Sequence, residues 1–156
     1  LISIILIAII SRFLPHPPNF TPITAIALLA SKGFDNRFLS FLVPLFAMVI
    51  SDFFIGFHFN IIFVYGSYAL IIMYGRLSKK ITLDTVIFSS IIFFIVTNFG
   101  VWLTGYPITT DGFLACYLMA IPFFINTLLG DLFYSTIMIF SFKYFMKMQI
   151  INLFYI

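Results

Sequence analysis

Six long apolar runs, separated by short polar connections, occupy most of this chain of 156 residues. They lie at residues 1–14, 20–31, 38–56, 60–75, 84–103 and 113–145. A helix rises 1.5 Å per residue, so about 20 apolar residues cross the ~30 Å hydrocarbon layer of a bilayer. Six crossings are the simplest count, and they leave almost nothing for a soluble domain. We therefore predict an all-α integral membrane protein, a single transmembrane domain over residues 1–156 that forms a six-transmembrane-helix bundle.

The composition excludes several classes of function. Hydrophobic residues make up 63% of the chain and charged residues 8%, whereas soluble domains carry about 25% charged residues. Nucleic-acid binding needs clustered Lys and Arg, which this chain lacks. The sequence contains no GxxxxGK[ST], HExxH or GxSxG motif, which are typical of phosphate loops, metalloproteases and serine hydrolases. We expect no enzymatic activity and no cofactor.

Two of the runs depart from the length of a single crossing. The second, residues 20–31, is short for a ~30 Å hydrocarbon layer, and the last is too long for one straight helix. Pro122 lies within the last run. Because proline removes a backbone donor and clashes with the preceding turn, we predict a break near Pro122, with a tilted or interfacial helix before it. Asp111 is then expected to cap that helix. The chain begins inside an apolar run without Met, so we expect further residues to precede Leu1.

The basic residues are distributed unequally between the two ends of the predicted spans. When successive connections alternate between the sides of the membrane, Arg12 lies alone on one side. Seven basic residues lie on the other: Lys32, Arg37, Arg76, Lys79, Lys80, Lys143 and Lys147. Basic residues near span ends stay in the cytoplasm. We predict a multi-pass protein of the inner (plasma) membrane with both termini cytoplasmic.

Asp52 and Asp131 lie inside apolar runs, where a carboxylate costs about 2.5–3.5 kcal/mol unless it is paired, hydrated or protonated. Both are expected to face the protein interior, and they could share one outward-facing cavity. Arg12 is either part of that site or a structural counter-ion for one of the two. A metal site built from His16, His58, Asp52 and Asp131 is geometrically possible, but their spacing does not require one. We predict no metal.

Phe94, Asn98 and Trp102 recur every four residues, which places them on one face of a helix. An amide between aromatic rings suits a small, flat or partly apolar ligand. The alternatives are that Asn98 serves helix packing and that Trp102 belongs to an interfacial aromatic belt. Further along the chain, Asn126 and Gly130 are four residues apart, and Gly130 would allow a neighbouring backbone to come close.

The stretch RFLPHPPNF, residues 12–20, is the most polar and the most rigid part of the sequence. Its prolines block helix continuation and favour extended backbone. Arg12, His16 and Asn19 project from this stiff connection. We expect it to form a polar lid, because irregular backbone at membrane depth is tolerated where it lines a wet cavity. His16 and His58 have the alternative of being interfacial residues without a ligand.

Several blocks of this sequence resemble a DUF6580-like family of small bacterial membrane proteins of unassigned function that carry a transport label. The blocks are RFLPHPPNFTPITAIALL, PLFAMVISDFFIGFH, VYGSYALI, VTNFGVW and CYLMAIPFFINTLLGDLFYS. That family in turn resembles the substrate-binding S components of energy-coupling-factor (ECF) transporters. The resemblance implies six helices, a vitamin or metal ion bound near the outer face, and a lid formed by the connection after the first helix.

It also implies partners. S components deliver cargo on a membrane coupling subunit that two ATP-binding-cassette ATPases drive. They often dock through small residues spaced four apart in the first helix. Here the nearest equivalents are Thr21 with Ala25 and Ala27 with Ser31 in the second apolar run.

The leading hypothesis is a membrane transport subunit that captures a small organic solute, such as a vitamin or its precursor, at the outer face. The expected substrate-binding residues are Arg12, His16, Asn19, Asp52, His58, Asn98, Trp102, Asn126 and Asp131. One alternative is a solitary proton- or cation-coupled carrier in which Asp52 and Asp131 are the coupling groups. The other is a structural membrane protein with no solute, whose polar groups pair internally.

Overall fold

The computed structural model describes the backbone of residues 2–154 and the side chains of residues 6 and 9–141. Within that part of the chain the secondary structure is entirely helical, as predicted. The helices are α1 (Ile2–Phe13), α2 (Ile23–Gly33), α3 (Arg37–Ile55), α4 (Ile61–Leu77), α5 (Leu83–Gly105) and α6 (Thr110–Phe154).

Three of the described helices are long and apolar enough to cross a membrane. They are α3, α5 and the Thr110–Ser141 part of α6. The helices α2 and α4 are also apolar but shorter, with 11 and 17 residues. The outward faces of the long helices carry large apolar side chains, such as Phe53 and Ile125, which suits contact with lipid. This is the character of an integral membrane protein.

The predicted break near Pro122 is wrong. The helix α6 runs without interruption from Thr110 to Phe154 and contains Pro122, as α3 contains Pro44. Proline removes a single helical hydrogen bond, whereas ending the helix would leave several backbone groups without partners in an apolar medium. Continuing the helix is therefore the less costly outcome.

Local sequence determines where the long helices begin. The Thr82 hydroxyl accepts from the backbone N–H of Thr85, and Thr85 returns the interaction, which forms a capping box before α5. At α6 the Thr109 hydroxyl accepts from Gly112 N at 3.1 Å. Thr109 therefore caps this helix, and the prediction that Asp111 does so is wrong. The helix begins at Thr110, so Asp111 lies in its first turn, where a carboxylate still interacts favourably with the helix dipole.

The short helix α2 lies at the centre of the bundle. It packs against α3, α4 and α6, and more lightly against α1 and α5. All side chains from Ile23 to Leu28 are buried. They join Ile71, Ile72 and Val86 in the apolar core. Ala25, Ala27 and Ser31 are buried with them, so these small residues contribute to the core.

The connections gather at two ends. At one, which we call the basic end, Lys32 and Arg76 join the end of α2 to the end of α4 beside connections 34–36 and 78–82. Arg76 Nη1 donates to Phe34 O at 3.0 Å and to Ser40 Oγ at 2.8 Å, and Lys32 Nζ donates to Arg76 O at 3.3 Å. At the other, the cavity end, connections 14–22, 56–60 and 106–109 contribute to the same cavities.

Candidate functional site

Two cavities lie side by side at the cavity end of the bundle. Their volumes are about 410 and 360 Å³, and each falls in the ~300–1,000 Å³ range of small-molecule sites. Five residues line both, so they adjoin along one wall. These residues are Asn19, Asn60, Val64, Phe93 and Thr127.

The larger cavity, which we call the aromatic cavity, lies between α5 and α6. Phe94 of α5 packs on Phe124 of α6 with ring centroids 4.8 Å apart, and on Tyr117 at 5.6 Å. Phe123 and Met119 complete its apolar surface. Rings in such contact present flat faces and edges to a ligand.

Two polar side chains of α5 also line the aromatic cavity. Thr97 Oγ1 donates to Phe93 O at 2.8 Å, and Asn98 Nδ2 donates to Phe94 O at 2.8 Å. These bonds run along the helix itself and fix the two side chains in place. Each group retains further hydrogen-bonding capacity, so both are preorganised to meet a ligand.

The smaller cavity, which we call the polar cavity, lies beneath the connection 14–22. Arg12, His16 and Asn19 line it from the end of α1 and from this connection, and His58 lines it from the connection before α4. Thr21 and Tyr68 add hydroxyl groups. Of the described residues that line this cavity, none is acidic.

Arg12 belongs to a hydrogen-bonded network at the edge of the polar cavity. Its Nη2 lies 2.6 Å from Asp52 Oδ1, and its Nη1 donates to Ser51 Oγ at 2.6 Å and to Met48 O at 3.4 Å. The Tyr65 hydroxyl donates to Asp52 Oδ2 at 2.6 Å. Both oxygens of the buried carboxylate are therefore engaged, and Asp52 is the counter-ion of Arg12.

Phe20 anchors the connection 14–22 to α6. Phe20 N donates to Pro17 O at 3.0 Å, and Asn19 takes a φ of 64°, a left-handed conformation that asparagine tolerates. Phe20 then packs on Phe133 and Tyr134 of α6. A Cβ at Gly130 would lie 3.0 Å from Phe20 Cα, which confirms the expected close backbone approach at Gly130.

Asp131 occupies a different environment from Asp52. It is 1% exposed, its Oδ2 accepts from Ser90 Oγ at 2.7 Å, and the Thr24 side chain also interacts with it. It is not among the residues that line either cavity. The two intramembrane carboxylates do not share a cavity among the described residues, because α2 packs between α3 and α6.

The expected site residues therefore separate into four groups. Arg12, His16, Asn19 and His58 line the polar cavity, Asn19 and Asn98 line the aromatic cavity, and Asp52 forms an ion pair with Arg12. Trp102, Asn126 and Asp131 lie outside both linings. Trp102 packs on Phe99 and Phe113 and donates to Pro107 O at 3.1 Å. The binding role of all nine residues stays a prediction.

The structure adds Asn60, which the sequence did not single out. It stands at the N-cap of α4 without capping it. Its Nδ2 instead donates to Thr97 O in α5 at 2.9 Å, and its Oδ1 is buried against Gly100. Asn60 thus joins α4 to α5 within the wall that the two cavities share. An asparagine just before a helix is usually a cap, so the contact of Asn60 with α5 could not be predicted from its position in the sequence.

An apolar, all-helical chain with a polar and an aromatic cavity at one end is a membrane protein with a pocket of small-molecule size. Its family is one of unknown function (DUF6580): the family model matches residues 1–152, and the chain belongs to it. Comparisons with the curated proteins and with the solved structures found no match.

Proposed function

We propose that this chain is the substrate-binding subunit of a membrane transport system, and that it captures a small organic solute at the outer face. The observation that carries the proposal is the pair of adjoining cavities beneath connection 14–22. They combine fixed polar groups with aromatic surface, as small-molecule sites do. The sequence resemblance to S components of ECF transporters supports the same reading.

The packing beneath the cavities favours capture over conduction. The helix α4 begins after Asn60 at the cavity end and ends before Ser78 at the basic end. Along its course Ile71 and Ile72, together with Val86 of α5, are fully buried. A pocket that ends on a packed core holds a solute and does not pass it through, so release requires a rearrangement or a partner.

We further propose six crossings in the membrane, with the basic end in the cytoplasm. The described connections support this arrangement, because Lys32, Arg76 and Lys79 belong to one end while the cavities lie at the other. Excess basic residues mark the cytoplasmic side. The cavities would then face outward, where a capture subunit meets its solute.

The proposed partners are a membrane coupling subunit and paired ATP-binding-cassette ATPases. The sequence contains no GxxxxGK[ST] phosphate loop, and such partners would supply the energy for release. The test is a mild-detergent pull-down of the tagged chain from its native membrane, followed by mass spectrometry. Recovery of both kinds of partner supports the proposal. Recovery of the chain alone, under conditions that preserve a known complex of this kind, contradicts it.

Binding itself is tested separately. The purified chain in detergent is heated with each member of a library of vitamins, precursors and other small metabolites. A solute that binds the folded state stabilises it by mass action. We expect at least one member to raise the melting temperature in a saturable manner. If no member does, the capture function is wrong.

A solitary proton- or cation-coupled carrier is the second candidate, and Asp131 favours it. This carboxyl is buried in the long helix α6 with the Ser90 hydroxyl as its described donor, and intramembrane carboxyl groups often serve proton relays. Uptake by proteoliposomes that contain the chain alone, abolished by an uncoupler and by Asp131→Asn, would establish this candidate. A chain that neither binds nor takes up any solute would instead be a structural membrane protein.

A further inference from the structure

We propose that the captured solute is an organic anion with a flat apolar ring, whose acid group lies in the polar cavity and whose ring lies in the aromatic cavity. This inference rests on the proposed function and names its substrate class. Three observations carry it: the donor-rich lining of one cavity, the sequestration of the nearest carboxylate, and the ring-lined surface of the other.

The polar cavity combines apolar side chains, such as Ile55, with polar side chains that can donate hydrogen bonds or carry positive charge. The Arg12 guanidinium reaches it from α1, the His16 and His58 imidazoles from two connections, and the Asn19 amide from the lid. A carboxylate or a similar acid group has only acceptors and needs this kind of lining. Charge-assisted hydrogen bonds from guanidinium to carboxylate are among the stronger ones that proteins make.

Asp52 does not oppose an anion in this cavity. Its carboxylate is 1% exposed, and its two oxygens are held by Arg12 and by the Tyr65 hydroxyl. Arg12 Nη1 donates to Ser51 Oγ and Met48 O, and Nη2 forms the ion pair with Asp52 Oδ1. A guanidinium carries five N–H donors in all, so it can present others to the cavity. The solute would therefore contact the Arg12 guanidinium and not the buried Asp52 carboxylate.

The aromatic cavity suits a flat apolar group. Phe93 and Phe94 of α5 and Phe123 and Phe124 of α6 line it. The pairing of Phe94 with Phe124, at 4.8 Å between centroids and 47° between planes, leaves ring faces and edges for a third ring. Aromatic pairs prefer such offset or edge-to-face arrangements.

Because five residues line both cavities, we take the two as one composite site. Asn19, Asn60 and Thr127 stand at the boundary and contribute to both linings. A solute with a single kind of surface would fill one cavity and leave the other empty. A solute with an acid group attached to a ring fills both.

The test uses matched pairs of probes on the full chain in detergent, with affinity measured by calorimetry. Benzoate, nicotinate and 2-naphthoate are each compared with their primary amides, which keep the shape and remove the charge. Butyrate keeps the acid group and removes the ring. We expect at least one ring carboxylate to bind, its amide to bind at least tenfold more weakly, and butyrate to show no binding.

Substitutions in the two cavities test where the acid group and the ring of the probe bind. The double change His16→Gln with His58→Gln should reduce the preference for acid over amide severalfold, and Lys79→Gln at the basic end should not. Phe94→Ala should weaken acid and amide alike, whereas Phe88→Ala, an exposed ring on the same helix, should weaken neither. A preference that the histidine change leaves intact would overturn the placement of the acid group.

The inference is also overturned if no ring carboxylate binds, if the amides bind equally well, or if butyrate matches the ring acids. The metabolite library distinguishes this failure from failure of the proposed function. Binding of a neutral or cationic solute in the library would leave the capture function standing and remove the anion assignment. Binding of nothing in either experiment would remove both.

Discussion

Arg12 Nη2 lies 2.6 Å from Asp52 Oδ1, and this ion pair joins the end of α1 to α3 at the edge of the polar cavity. Asp52 is 1% exposed, so it relies on Arg12 and Tyr65 for the interactions that water would otherwise supply. The pair holds the start of connection 14–22 in place, and it presents a guanidinium to the cavity.

Removing one partner of this pair should destabilise the chain. Arg12→Leu leaves a buried carboxylate without its cation, which costs about 3–5 kcal/mol. We expect a clear fall in the melting temperature in detergent, and we expect Arg12→Leu with Asp52→Leu to recover part of it. Arg37→Leu, which changes an exposed arginine at the start of α3, is the control. Equal melting temperatures for Arg12→Leu and Arg37→Leu would contradict the pairing.

The shared wall of the cavities depends on Gly100. A Cβ there would collide with Asn60 Oδ1 and with the Phe63 ring. Gly100→Ala should therefore push α4 away from α5, at a cost of about 1–3 kcal/mol. Gly66→Ala, also within a helix, meets nothing within 4 Å and should be neutral or stabilising by up to about 1 kcal/mol. Thermal unfolding compares the two, and a Gly100→Ala chain as stable as Gly66→Ala would disprove the contact.

A substitution of Arg76 at the basic end should lower the stability of the chain without changing its affinity for the solute. Arg76→Gln removes donors to Phe34 O and Ser40 Oγ, with an expected loss of about 1–3 kcal/mol. Solute affinity should not change, because Arg76 lies at the opposite end from both cavities. Lys80→Gln, which alters an exposed side chain, should change neither property. An Arg76→Gln variant as stable as wild type would show that these hydrogen bonds do not stabilise the connection.

The orientation in the membrane is tested with single cysteines in a Cys116→Ser background. Ile108 and Lys79 are exposed residues on connections at opposite ends of the bundle. An impermeant maleimide added to intact cells should label Ile108→Cys, while Lys79→Cys should react only after the membrane is opened. The reverse pattern would invert the proposed topology, and labelling of both from outside would rule out a crossing between them.

The sequence predicted the helical class and the grouping of connections well, because both follow from local patterns. Apolar runs specify helices in a membrane, and alternation of connections brought Arg12, His16 and His58 to one end. It also predicted the close approach at Gly130, where a small residue leaves room for the Phe20 backbone. These inferences require only which residues are apolar, charged or small.

Other features depended on packing between distant segments. The predicted spans allowed Asp52 and Asp131 to share one outward-facing cavity, but the buried helix α2 packs between their helices and Asp131 accepts a hydrogen bond from Ser90. Trp102 shares a helical face with Asn98, yet it lies beyond the aromatic cavity and packs on Phe113. Pro122 does not end α6, because a continuous helix leaves fewer backbone hydrogen-bonding groups without partners than a break would.

The central claim is tested most directly by a substitution that fills the aromatic cavity with a larger side chain. Ala120 is buried and lines that cavity, whereas Ala115 is exposed on the same helix α6. Ala120→Phe and Ala115→Phe are purified with wild type, and the solute that stabilises wild type in the library is titrated into all three by calorimetry. The account predicts that wild type and Ala115→Phe bind alike and that Ala120→Phe loses at least tenfold in affinity while remaining folded. Equal binding by a folded Ala120→Phe chain would show that the solute is held elsewhere, and would contradict the account.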